Sequence, residues 1–159
     1  MRRAVKPIPY TRALASALMA AFAAACGSSG GHDVQPRNVA DACAILDDNP
    51  HWAELIEDSS DRWDAPPEVK LAIIWRESSF RHDARPPGRI SSAYGYSQAL
   101  DGTWDWYRKE TGNRSADRTQ FEDAIDFVGW YMAKTRKSNG LSTRDAYSQY
   151  LAYHEGHTG

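Results

Sequence analysis

The sequence predicts a mainly α protein, one domain of five or six short helices behind a separable leader. Three observations carry this. Apolar residues recur at spacings of three and four in one stretch after another from Val39 onward. No run longer than four residues reads as a strand, and Pro, Gly and capping residues punctuate the stretches at helix-like intervals.

Taken in order, Val39, Cys43 and Leu46 share one face of a first helix that Asn49 and Pro50 stop. A second helix, about Pro50 to Trp63, turns Trp52, Leu55, Ile56 and Trp63 inward, and Asp64 with Pro66 and Pro67 closes it. Pro67 opens the stretch around which the chain is expected to be organised, Pro66 to Phe80. Val69, Ile73 and Glu77 repeat on one face there, with Leu71, Ile74 and Trp75 beside them, so the helix reads as core on most sides. A polar, proline-rich loop follows from His82 to Arg89. Next, Ser91 to Ala99 fits a tight turn, and Gln98 to Tyr107 reads as a helix with Trp104 and Tyr107 inward.

Thr119 and Glu122 have the spacing of a capping box. The helix they would open is the clearest in the chain, with a stripe of Phe121, Ile125, Val128 and Met132 widened by Ala124, Tyr131 and Thr135. Lys and Arg in its last turn and Gly140 end it. Ser142 or Thr143 is expected to cap a last helix running through Tyr150 and Tyr153 to Gly156.

The first 25 residues stand apart. They carry Arg2, Arg3, Lys6 and Arg12, no acid, and the Ala-rich run Leu14 to Ala25, which is the pattern of a secretory signal peptide. A membrane-spanning helix needs about 18 or more apolar residues, and this run supplies about a dozen. The sequence at Ala23 to Cys26 resembles a bacterial lipoprotein processing site, which implies a lipidated Cys26, and Gly27 resembles the residue that follows it in outer-membrane lipoproteins. Residues 26–37 would then be a lipidated cysteine and flexible tether, on the periplasmic face of the envelope, with the folded domain at 38–159.

Removing the leader takes four of 19 basic residues and none of 21 acidic ones, leaving a net charge of about minus six. Nucleic acid is excluded as a partner on that sign and on the lack of a basic stripe. With Cys26 lipidated, Cys43 is the remaining thiol, too few for a disulfide scaffold or a cysteine metal site; otherwise a Cys26–Cys43 bridge would only staple the linker. His154 and His157 are three apart, the wrong spacing for two ligands on one zincin helix, so neither metal nor cofactor is expected. No oligomer is implied. Six Trp and eight Tyr exceed what a helical core needs and hint at a ligand that aromatic rings can stack on.

That leaves Glu77, at the end of an apolar helix, where a carboxylate must be paired, neutralised or used. Arg76 or Lys70 could pair with it. Its surroundings resemble a family, however. Glu77-Ser78-Ser79-Phe80 resembles the ESxF or ESxW that ends the catalytic helix of lysozyme-like lytic transglycosylases of the soluble-lytic type; Gly95 to Ala99, GYSQA, is similar to their GLMQ stretch; and Ala152 to Gly156, AYHEG, is similar to their AYNxG stretch. The three occur in the family's order over residues 60–156, with a long helix between the second and third.

The resemblance implies a lysozyme-like helical fold and cleavage of the β-1,4 bond between N-acetylmuramic acid and N-acetylglucosamine in peptidoglycan, leaving a 1,6-anhydromuramoyl end. It implies Glu77 as acid and then base, with the substrate acetamido group stabilising the charged centre. Ser78 would turn back toward the cleft, Gln98 would donate to substrate, and Tyr153 would hydrogen-bond near Glu77, with Gly95, Tyr96 and His154 supporting. Tyr96 and Ser97 stand where the family has Leu and Met, making the cleft floor partly polar, and His154 stands for its Asn. The family continues into a further helix after the third motif, so the resemblance implies a fold lacking its last helix. Two alternatives stay open: lysozyme-like hydrolysis with Asp83, Asp101 or Asp105 as second carboxylate, and a non-catalytic peptidoglycan-binding lipoprotein.

Overall fold

A computed structural model describes residues 33–156. The expected signal peptide, Cys26 and the start of the expected tether lie outside the described residues. Six α-helices follow one another: α1 Ala42–Asp48, α2 Trp52–Trp63, α3 Pro67–Ser78, α4 Asp101–Thr111, α5 Phe121–Asn139 and α6 Ala146–Glu155, with a 3₁₀ turn at Pro87–Arg89. Among the described residues none is long and apolar enough to cross a membrane.

The centre is α5, not the Pro66 to Phe80 stretch. Every residue from Ala124 to Met132 is buried, because α2, α3, α4 and α6 all pack around α5. A helix apolar on a single stripe needs one cover; this one is enclosed. The α2 contact is the most extensive, and Gly129 permits it: a Cβ there would lie 2.7 Å from Trp63 Cδ1 and 2.9 Å from Ser59 Oγ.

Buried polar groups on α5 are satisfied across the same seam. Ser59 Oγ donates to Ile125 O (2.9 Å), while Asp126 accepts from Arg62 Nη1 (2.9 Å), Trp63 Nε1 (2.8 Å) and Tyr107 Oη (2.8 Å). The expected capping box is absent. Asp117 Oδ1 takes both the amide and the hydroxyl of Thr119, and Gln120 becomes the N-cap without a side-chain bond. Asp145, accepting from Ser148 N, caps α6 in place of Ser142 or the buried Thr143.

Most of the aromatic surplus is core. Trp52 stacks on Phe121 (centroids 3.6 Å apart) and meets Tyr96 and Phe80 at 5.9 and 6.0 Å, joining α2, α5, the end of α3 and the turn at Gly95 to Ala99. Such pairs contribute about 0.5–1.5 kcal/mol beyond area burial. Trp104, Tyr107, Phe127 and Trp130 form a second cluster.

Four further expectations change. In α1 the buried side chain is Ile45 while Cys43 is exposed, and in α3 Trp75 faces solvent. Lys70 is fully buried, its Nζ donating to Ile56 O (2.9 Å), and burial lowers its pKa to about 8. The tether is docked from residue 33. Asp33 accepts from His51 Nε2 (2.9 Å), Trp52 Nε1 (2.7 Å) and Phe121 N (3.4 Å), Val34 and Asn49 exchange two bonds, and Arg37 pairs with Asp48.

Candidate active site

The site begins where α3 stops. Ser79 and Phe80 both take positive φ (51° and 58°), Ser79 N donating back to Trp75 O (2.9 Å). Left-handed conformations at two side-chain-bearing residues in succession are costly, and the buried Phe80 ring against Trp52 offsets that. The reversal leaves Glu77 on the last turn of α3, half-buried at a cleft of about 400 Å³.

The opposite wall is the turn at Gly95 to Ala99. Gly95 has φ 75°, and a Cβ there would lie 2.1 Å from Arg118 O, so only glycine fits. Arg118 also braces the turn from outside, donating to Ser92 O, Ala99 O and Asp101 Oδ1. Gln98 is itself left-handed (φ 49°) and holds that shape with its own amide, Nε2 donating to Ala84 O (2.9 Å) and Gly95 O (2.8 Å). Two carbonyl acceptors fix which end is nitrogen. Both amide hydrogens are thus committed, and Gln98 has its carbonyl oxygen to offer the cleft rather than the expected donor.

The third wall is α6. Tyr153 donates its hydroxyl to Ser97 O (2.6 Å) and packs its ring on Tyr131 (5.0 Å), tying α6 to the turn. Burial and then the Glu77 charge push its pKa well above the ordinary tyrosine value. His154 lies exposed at the cleft with Nδ1 3.0 Å from Glu155 Oε1. Phe127, Tyr131, Leu100 and Thr103 also line it.

Glu77, Gln98, Tyr153 and His154 therefore meet at one cleft. Ser78 and Tyr96 do not. Ser78 Oγ bonds to Ile74 O one turn back and is buried, because in helical φ/ψ a serine's nearest acceptor is its own helix. Tyr96 is core against Trp52 and Phe121, so the floor it was expected to make polar lies elsewhere. Gly95 acts through backbone shape alone. One charged cleft-lining residue was missed, Glu155, which follows Tyr153 and His154 on α6.

Glu77 has the electrostatics of a proton carrier. Burial raises its pKa above the usual glutamate value, opposed by the His154 and Arg76 charges. Among the described residues no ion pair reaches it. Lys70 is turned to Ile56, and Arg76 sits over the Tyr150 ring (5.6 Å). Asp83, Asp101 and Asp105 are outside the cleft, the last two bound to Arg118 and Arg108. A larger, more apolar groove of about 570 Å³ among α1, α2 and α3 holds none of the three motifs' residues.

A helical domain with a single half-buried, unpaired carboxylate in its cleft has the makings of an acid–base enzyme. The family model described as "Transglycosylase SLT domain" matches residues 14–159, and the chain belongs to that family. It is a lytic transglycosylase acting on peptidoglycan. No curated protein and no solved structure matches the chain.

Proposed function

We propose that this transglycosylase cleaves the β-1,4 bond between N-acetylmuramic acid and N-acetylglucosamine and leaves a 1,6-anhydromuramoyl end, with Glu77 as the acid and then the base. The observation that carries the proposal is Glu77 itself, half-buried in the cleft, without an ion pair, its pKa raised by burial. A carboxylic acid that keeps its proton nearer neutrality can protonate the glycosidic oxygen as the bond from C1 breaks. The carboxylate so formed then takes the proton of the 6-hydroxyl as O6 bonds to C1. The proton count closes without water. Gln98 accepts from a sugar N–H or O–H through its carbonyl oxygen, and Tyr153 keeps that wall in place through Ser97.

Lipidation of Cys26, anchorage at the periplasmic face of the outer membrane and the leader at residues 1–25 belong to the same proposal and rest on the sequence. The full chain is incubated with purified peptidoglycan and its products are weighed by mass spectrometry. Anhydromuropeptides that vanish with Glu77→Gln are the expected result. Reducing-end products would mean hydrolysis, and binding without products would overturn both. The mass of the mature N-terminus tests the lipid.

A further inference from the structure

Trp52, Trp104 and Trp130 are buried in the core, whereas Trp75 and Trp106 are each 42 % exposed. A lone apolar side chain on a surface needs no explanation, so position has to separate these two. Trp75 lines a groove against α1 that shares no residue with the cleft. Trp106 continues the cleft. Along the seam between α4 and α5, Thr103 and Phe127 line the cleft, Trp106 meets Trp130 (centroids 4.8 Å apart, planes at 77°), and Glu110 pairs with Lys134. The pairs advance together, three and then four residues on each helix, so the seam leads out of the cleft, past Trp106, to an ion pair. Three helical residues rise about 4.5 Å, roughly one sugar unit of a β-1,4 strand.

The indole is braced before any ligand arrives. Trp130 meets it edge to face, and Lys134 Nζ, paired with Glu110, lies 5.7 Å from the Trp106 ring and 5.8 Å from that of Trp130. An aromatic side chain already held in one orientation loses little entropy when something stacks on it.

We propose that Trp106 is a substrate-binding residue, a stacking platform for a sugar of the peptidoglycan strand beyond the cleft, so that the enzyme binds long strands more tightly than short ones. This rests on the strand being cleaved in the Glu77 cleft. The face of a β-linked pyranose is a layer of C–H bonds, apolar and slightly positive, while the face of an indole is negative. Stacking of this kind accepts either sugar of an alternating strand, which suits a contact away from the scissile bond. It is equally strong in the ground and transition states, so it is read in KM and not in kcat.

The test uses the full chain and soluble glycan strands of graded length, from tetrasaccharide to dodecasaccharide, with loss of intact strand followed by mass spectrometry. In the wild type KM should fall as strands lengthen past the cleft. Trp106→Ala should erase that fall, raising KM about tenfold on the long strands and leaving kcat and the tetrasaccharide unchanged. Trp106→Tyr, which keeps an aromatic face, should restore most of it. Trp106→Leu keeps an apolar contact for Trp130 without that face, and it carries the test alone if the alanine variant melts below assay temperature. Trp75→Ala removes an equally exposed indole outside the cleft and should change nothing at any length. An unchanged KM on long strands, a penalty of one size at every length, a loss confined to kcat, or the same loss in Trp75→Ala overturns the proposal. Full activity in Glu77→Gln would instead mean that strands are cut elsewhere, a failure of the reading beneath this one.

Discussion

Asp126 on α5 and Glu77 on α3 are both carboxylates at least half-buried on packed helices, and their surroundings differ in kind. Asp126 carries three donors on two oxygens, from Arg62, Trp63 and Tyr107, and joins α2, α4 and α5. Glu77 faces a cleft with no ion pair among the described residues and with a pKa raised by burial. On the function proposed above, the first is a joint and the second a reagent. Partner count, more than depth of burial, separates a carboxylate that holds a fold from one that moves a proton.

The contrast can be broken most directly at Glu77. Glu77→Gln should cut anhydro-product release by about 10³-fold while the variant melts no lower than the wild type; a lowered melting temperature of similar size to that of an Asp126 variant would make Glu77 a joint too. Asp126→Ala should do the reverse, losing about 2–4 kcal/mol of stability in denaturant melts, because it orphans Tyr107 and Trp63 donors and an Arg62 that can regain water, with kcat nearly kept at low temperature.

Lys70 sharpens the comparison, since the charges it feels are those of Asp126 and Asp61, not Glu77. With its pKa lowered from 10.5 to about 8, the unfolded chain binds the extra proton between those values and the fold gains stability as pH rises through them. Lys70→Met should therefore stabilise the protein by up to about 3 kcal/mol at pH 7, and the advantage should fade between pH 8 and 10.5. The smallest effect is the linkage at Glu77. A carboxyl whose folded pKa is raised contributes its stability below the unfolded value and loses it as pH rises through the folded one. The melting advantage of Glu77→Gln should thus be present at pH 7 and close once pH falls below about 4.5.

Helices were legible wherever period and punctuation agreed, as in the Phe121, Ile125, Val128, Met132 stripe and the Pro67 start of α3. What sequence alone could not give depended on partners far along the chain. Tyr96 reads as a polar change in a cleft motif, but Trp52 and Phe121 make it core. Lys70 reads as a partner for Glu77, but the carbonyl of Ile56 takes it. Thr119 has the spacing of a box, and Asp117 intercepts it. At the site, the three motifs did pick out Glu77, Gln98, Tyr153 and His154, which share one cleft, while the direction of each hydrogen bond was beyond them. Ser78 and Gln98 had nearer backbone acceptors than any sugar.

Asp33 sets where this enzyme can be cut. A fragment begun at residue 38, where the composition turns helical, would discard one carboxylate and leave the Trp52 indole and the Phe121 amide without their acceptor at the point where α2 and α5 stack. Each orphaned donor costs about 1–3 kcal/mol, enough to make an expressed fragment look unstable for reasons unrelated to its cleft. The smallest piece to carry into crystallisation or assay starts before Asp33, and a protease that trims the chain should slow at that boundary rather than at Asn38.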